Sequence, residues 1–210
     1  MSKTEAQQNA ALVEVLKNSP RGWIPFFRKK RNAQELAKAV GELLNPMDPD
    51  SLPADPNFET KDGKSILIIA SSFKNKDYSE VIKILLQHRS IRPDACLDPA
   101  QRRTAFLVNV ENGNLENVKS FLDPKIIAQD KFNINAVDFQ RKSALMIAAE
   151  QGDLEMLKLL IELGGSRINF MLNDHSEQTA LDIAKASMVA TQIREEIEKL
   201  IVEGIQKQIG

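Results

Sequence analysis

Residues 141–148 read RKSALMIA, and this stretch decides the fold because close copies of it occur at three other places in the chain. The other copies are residues 63–70 (GKSILIIA), 102–109 (RRTAFLVN) and 177–184 (EQTALDIA). Each copy carries a hydroxyl side chain two residues before a bulky apolar one, at Ser65, Thr104, Ser143 and Thr179. These hydroxyls lie 39, 39 and 36 residues apart, which indicates an internal repeat.

Each copy has the pattern of a helix start. A Ser or Thr before an apolar run is a favourable N-cap, because its oxygen accepts a hydrogen bond from a backbone N–H group of the first turn. Gly113 and Gly152 follow two of the copies, and glycine readily takes the left-handed conformation that ends a helix. A second apolar helix is expected after each turn, around residues 81–86, 118–122 and 156–161. The repeated unit is therefore helix, tight turn, helix and loop.

This unit resembles the ankyrin repeat family. The resemblance is clearest over residues 135–164, where SALM at 143–146 stands at the family's T-P-L-H position, and it extends over residues 60–205. It implies an all-α fold, an ankyrin-type helical repeat solenoid with about four repeats, N-terminal helices and a C-terminal capping helix. The family period is about 33 residues, so the longer spacing predicts extra residues near 74–79 and 123–132. These irregular repeats also resemble those of ankyrin-repeat effector proteins that intracellular bacteria deliver into host cells.

The two ends of the chain lie outside the repeat pattern. Residues 1–56 predict two helices, Thr4–Lys17 and Asn32–Leu44, followed by a proline-rich linker. This helical extension is either a cap for the first repeat or a degenerate repeat, and the ankyrin-like repeat domain is assigned to residues 57–210. Apolar residues at helical spacing in Arg194–Gln208 predict an amphipathic helix that closes the far end of the stack.

Segment 17–31 interleaves six basic residues with Trp23, Ile24, Phe26 and Phe27. One interpretation is contact with an anionic membrane or nucleic acid, or a nuclear-import patch. The other is that the aromatic rings pack on the first repeat while the basic side chains extend into solvent. We favour the second interpretation, because runs of basic residues are common on solvated surfaces.

The composition argues against several function classes. A formal net charge of −1, from 28 basic and 29 acidic residues, excludes a chain-wide polybasic surface for nucleic acid. No apolar run approaches the roughly 20 residues that span a bilayer. The chain has one cysteine, Cys96, and two histidines, His88 and His175, with no metal-ligand spacing and no phosphate-binding loop. We therefore predict no catalytic residue, no cofactor and no metal, and a cytoplasmic location.

The resemblance also implies where a partner binds. Ankyrin-like stacks present a concave surface built from hairpin tips and from the exposed side of the first helix of each unit. Carried over by register, the candidate partner-binding residues are Lys64, Phe73, Arg103, Glu111, Asn112, Phe139, Gln140, Lys142, Glu150, Gln151 and Gln178.

Three of these candidates form a basic row and two form an acidic row, because each set holds one position of the repeat. The basic row is Lys64, Arg103 and Lys142, and the acidic row is Glu111 and Glu150. These rows either face a partner or pair with each other. Phe139 either anchors a partner or packs beneath the long loop at 123–132.

We predict a noncatalytic protein–protein interaction module or adaptor, a monomer that binds another protein or a peptide in the concave groove. If the chain is a bacterial effector, its target is a host protein in the host cytosol. One alternative is a small enzyme or an enzyme's regulatory subunit, with its site between the N-terminal helices and the repeats. Another alternative is a membrane-tethered adaptor that uses segment 17–31.

Overall fold

The computed structural model describes residues 4–17, 33–47, 52–73, 78–94, 102–127 and 131–209. Most of the basic–aromatic segment 17–31, Cys96 and part of each expected insertion lie outside these residues. The described residues contain ten α-helices: α1 (Glu5–Lys17), α2 (Ala33–Leu44), α3 (Ile66–Ser71), α4 (Ser79–Gln87), α5 (Ala105–Glu111), α6 (Leu115–Leu122), α7 (Ala144–Gln151), α8 (Leu154–Gly164), α9 (Ala180–Ala186) and α10 (Thr191–Ile209). A short 3₁₀ turn, Gly165–Arg167, follows α8.

The four hydroxyl residues of the repeat are N-caps, as the sequence predicts. Ser65 accepts from the backbone N–H of Ile68 at 3.2 Å, and Thr104 and Ser143 cap α5 and α7 in the same way. Thr179 accepts from the N–H of Asp182 at 3.3 Å, while the Asp182 carboxylate accepts from the Thr179 N–H at 3.0 Å. These reciprocal bonds satisfy helix-end donors, and those that Thr179 donates lower the pKa of Asp182.

The helices form two layers. The inner layer runs α1, α3, α5, α7, α9 and the outer layer runs α2, α4, α6, α8, α10, each helix packing on the next in its layer. Each inner helix also packs on the outer helix that follows it in sequence. The first two helices therefore extend both layers by one further pair, although no repeat signal marks them in the sequence. Stacking of this kind buries the apolar faces that a single pair would leave exposed.

Helix α10 closes the outer layer against α8 and α9. It begins and ends outside the expected range of 194–208, and it buries Ile197, Ile201 and Gly204. A Cβ atom on Gly204 would lie 2.4 Å from the ring of Phe170, so only glycine allows this close approach. The opposite face of α10 is exposed and charged, which fits the terminal cap that the sequence predicts.

A buried polar network joins α3, α5 and α6. The side chain of Asn109 is fully buried, and its amide nitrogen donates to the Ser71 hydroxyl at 2.7 Å. The Asn109 oxygen accepts from the side-chain amides of Asn114 at 3.2 Å and Asn117 at 2.8 Å. Buried polar groups of this kind are stable only when they are hydrogen-bonded, so the network fixes how these helices meet.

Two asparagines link successive inter-repeat loops. Asn57 donates to the carbonyl of Ser90 at 2.6 Å and accepts from the N–H of Arg92 at 2.7 Å. Asn135 makes the same pair of bonds with the carbonyl of Arg167 and the N–H of Asn169, each at 2.8 Å. Each asparagine thus holds two neighbouring loops in register, and so it fixes the turn that precedes α3 or α7.

Candidate functional site

Four turns precede the capped inner helices, and we call them fingers 1 to 4: residues 59–65, 102–104, 137–143 and 173–179. In finger 3 the carboxylate of Asp138 accepts from the N–H groups of Gln140 at 2.9 Å and Lys142 at 2.8 Å. Asp174 makes the corresponding bonds in finger 4. A side chain that accepts from its own turn stabilises that turn, so these fingers project as defined loops beside the inner helices.

Fingers 3 and 4 are joined to each other. The backbone N–H of His175 donates to the carbonyl of Gln140 at 3.1 Å, and its Nε2 lies 2.8 Å from the carbonyl oxygen of Phe139. These contacts fix the backbone of Phe139, yet its side chain remains 50% exposed. The interpretation in which Phe139 packs beneath the 123–132 loop is therefore wrong, because that packing would bury the ring.

A cleft of about 110 Å³ is lined by residues of fingers 2 and 3 and of helices α5 and α7. Its floor is formed by the aliphatic side chains of Leu107 and Ile147, and its walls are polar. Its other lining residues are Arg103, Glu111, Asp138, Gln140, Lys142, Glu150 and Gln151. Six of the sequence candidates thus meet in one depression, and the remaining three lining residues were not among them.

Two members of the basic row pair with the acidic row in the walls of this cleft. Arg103 forms an ion pair with Glu111, and Lys142 lies 2.5 Å from Glu150. Each pair joins the finger of one unit to the end of its own inner helix, eight residues later. The glutamates are about half exposed, and exposed pairs of this kind contribute roughly 0.2–1 kcal/mol. The pairs therefore position charge at the mouth of the cleft more than they stabilise the fold.

A hydrogen bond links the two helical walls. The side chain of Gln151, at the end of α7, donates to the carbonyl of Glu111 at the end of α5, at 3.0 Å. This bond crosses from one unit to the next and satisfies a helix-end carbonyl that would otherwise lack a partner. The distance between the two walls is therefore fixed by the stack.

Five sequence candidates do not line the cleft: Phe139, described above, and four others. Lys64 pairs with Asp62 of finger 1 at 3.3 Å, and the hydroxyl of Thr60 donates to that carboxyl and lowers its pKa. Asn112 caps α5 and donates its side chain to the carbonyl of Ser71 at 3.0 Å, which is a structural role. The other two are half-buried: Phe73, which stacks on Tyr78, and Gln178, at the base of finger 4.

Backbone geometry marks one position that the sequence reasoning missed. The residue two before each N-cap has a positive φ: 73° at Gly63, 50° at Arg102, 63° at Arg141 and 59° at Glu177. Glycine takes this conformation easily, whereas other residues are strained there by roughly 1 kcal/mol or more. Three of the four fingers therefore carry a charged residue where glycine would fit best.

The described part of the chain holds no group of three or more His, Cys, Asp or Glu side chains placed to bind a metal ion. Within the same residues, no helix combines the length and the apolar character needed to cross a bilayer.

Comparison with known proteins places the repeats. Residues 110–208 match the family model for ankyrin repeats, which holds three copies. Over 73 residues the chain is 37% identical to short transient receptor potential channel 4 of Mus musculus, and the Rattus norvegicus and Homo sapiens channels match equally well. The matched stretch is 35% of this chain and 7% of the channel.

The structure is similar to the crystal structure of the ankyrin repeat protein EF0377, with a TM-score of 0.67 and 20% identity. The match covers 93% of this chain and 81% of that protein. The all-α, ankyrin-type solenoid predicted from the sequence is thereby confirmed.

Proposed function

Because the chain carries ankyrin repeats, we propose that it is a noncatalytic adaptor that binds another protein through the cleft between fingers 2 and 3. Ankyrin repeats are generally protein–protein interaction modules, which supports the class of function. The placement is supported by a depression that six of the predicted partner-binding residues line together.

The chemistry of the cleft suits recognition of a polypeptide. Its apolar floor is narrow, its walls carry charged and amide groups, and Phe139 stands exposed on finger 3 beside Gln140. An exposed aromatic ring on a fixed backbone is a good anchor, because it contributes a large contact area and loses little conformational entropy. We expect the polar walls to set register and Phe139 to contribute the largest share of affinity.

The finer role that we propose is delivery of this module as a bacterial effector that acts on a host protein in the cytosol. The unequal loops between repeats support it, since they set the chain apart from a regular stack. This role requires that the captured protein come from a eukaryotic lysate and be absent from a bacterial one. Capture of the same class of protein from both lysates would leave the adaptor function standing and remove the effector role.

The test of the adaptor function is affinity capture from cytosolic lysate by the full chain, compared with Phe139→Ala and Leu163→Ala and read by quantitative mass spectrometry. Leu163 is a matched control, since it is 44% exposed but lies on the outer helix α8. Loss of an anchoring ring removes about 2 kcal/mol or more, so Phe139→Ala should lower recovery of a specific partner at least about tenfold.

The control variant should recover that partner as the unaltered chain does. Equal recovery by both variants, with unchanged thermal unfolding, would contradict this placement of the site.

A further inference from the structure

The fingers beside the cleft carry four basic residues in two classes. Arg103 and Lys142 are each paired with a glutamate of their own unit. Arg102 and Arg141, one residue earlier in the same fingers, are exposed and form no ion pair within the described residues. The nearby carboxylates of Glu111 and Glu150 hold Arg103 and Lys142, and Asp138 accepts two backbone N–H groups of its own turn. Arg102 and Arg141 are therefore the basic side chains of fingers 2 and 3 that remain available to pair with a ligand.

The same turn position has opposite charge in the next finger. Glu177 of finger 4 has the left-handed conformation of Arg102 and Arg141, and its side chain is also exposed. Finger 1 has Gly63 there and contributes no charge. Along the edge from finger 2 to finger 4, the order of charge is therefore basic, basic, acidic.

The spacing of these charges matches an extended chain. Helices that pack on one another lie about 8–10 Å apart, and successive fingers stand on successive inner helices. An extended polypeptide in the polyproline II conformation rises about 3.1 Å per residue with three residues per turn, so three residues cover one step from finger to finger. Every third side chain of such a segment lies on the same face, and it can meet the corresponding turn position of the next finger.

We propose that the edge formed by fingers 2, 3 and 4 binds an extended polypeptide segment in which two acidic residues and one basic residue follow at intervals of three. The acidic residues face Arg102 and Arg141, and the basic residue faces Glu177. The segment passes the exposed ring of Phe139, which lies on finger 3 with Arg141. This inference rests on the proposed adaptor function and states the chemistry of the partner.

The test is selection from a displayed library of random 12-residue peptides, using four forms of the full chain. These are the unaltered chain, Arg102→Glu with Arg141→Glu, Glu177→Arg, and Lys125→Glu as a charge-reversal control after the outer helix α6. Glutamate is a sound replacement, because Glu177 already adopts this backbone conformation. Unchanged thermal unfolding of each form establishes that the fold is kept.

The unaltered chain and Lys125→Glu should enrich peptides with the acidic–acidic–basic pattern at intervals of three. The double arginine variant should enrich basic residues at the first two positions. Its affinity for a peptide selected by the unaltered chain should fall about tenfold, since each attraction becomes a repulsion. Glu177→Arg should change only the third position. Added salt should weaken binding of the selected peptide, because these charges are exposed.

Enrichment without a charge pattern, or a pattern unaffected by the arginine variant, would overturn this inference. So would an absence of enrichment by the unaltered chain. In each of these cases the adaptor function stands if Phe139→Ala still lowers capture of a cytosolic protein at least about tenfold. Binding of RNA or of phosphatidylserine vesicles with the same dependence on Arg102 and Arg141 would assign the edge to another class of ligand and contradict the proposal.

Discussion

The unit built from α5 and α6 and the unit built from α7 and α8 share their groove side and differ inside. Both have a hydroxyl N-cap, a left-handed arginine two residues earlier and an ion pair from finger to helix end. Inside, Asn109 of the first unit corresponds to Ala148 of the second, and Asn117 to Met156. The first unit has a polar network between α3, α5 and α6, whereas the second unit has apolar side chains at the corresponding positions.

This comparison shows that the groove does not depend on how the interior is built. The caps and turns fix where each finger projects, since both use backbone groups local to the unit. The interior has only to fill the space between helices, which amide and methionine side chains can both do. Variants that alter one unit alone therefore separate stability from binding.

The greatest loss of stability is expected at the glycine in the turn after the inner helix of each of these two units. Gly113 and Gly152 have φ of 69° and 70°, but a Cβ at Gly152 would lie 2.4 Å from Val189, whereas the nearest atom at Gly113 is 3.8 Å away. Gly113→Ala should cost about 1 kcal/mol through backbone strain, and Gly152→Ala about 3 kcal/mol because overpacking adds to it. Urea unfolding of both variants measures the difference, and equal losses would contradict it.

The next effect separates the two interiors. Asn109→Ala removes the acceptor of the Asn117 amide, which is 2% exposed, and should lower the free energy of unfolding by about 2 kcal/mol. Adding Asn117→Met gives this unit the residues of the next one, and at least half of the lost free energy of unfolding should be recovered. A double variant no more stable than the single one would show that the network is not what holds this interface.

The smallest effect concerns the turn position itself. Arg141→Gly relieves the strain of a positive φ of 63°. It should stabilise the chain by roughly 0.5 kcal/mol, which is less than the strain energy because glycine also adds conformational entropy to the unfolded chain. The same substitution removes a proposed binding charge, so stability should rise while affinity for the selected peptide falls. Glu177→Gly is the control for stability, and it should show the same rise. Destabilisation by both variants would argue against strain at this position.

Sequence reasoning predicted the features that local chemistry determines. Ser65, Thr104, Ser143 and Thr179 cap their helices, and Gly113 and Gly152 are left-handed, because each property belongs to one residue and its turn. Helices α1 and α2 join the stack without such signals, so their position depends on tertiary packing, which sequence periodicity does not reveal.

Sequence reasoning predicted only part of the candidate site. The repeat register placed Arg103 and Lys142 among the candidates and left open whether they face a partner or pair with the acidic row. The fold shows that each pairs with an acid eight residues later, which joins a turn to a helix end. The left-handed backbone of Arg102 and Arg141 was missed, because arginine does not favour it and gives no sign of it in the sequence.

The proposed function requires that finger 3 contacts a partner protein through Phe139. The most direct measurement is photo-crosslinking in cytosolic lysate, with benzoylphenylalanine placed at Phe139 in one form of the chain and at Leu163 in another. We expect a discrete protein adduct from position 139 and none from position 163, since position 139 lies on finger 3 and position 163 lies on the outer helix α8. An adduct from position 163 alone, or equal adducts from both positions, would contradict the claim.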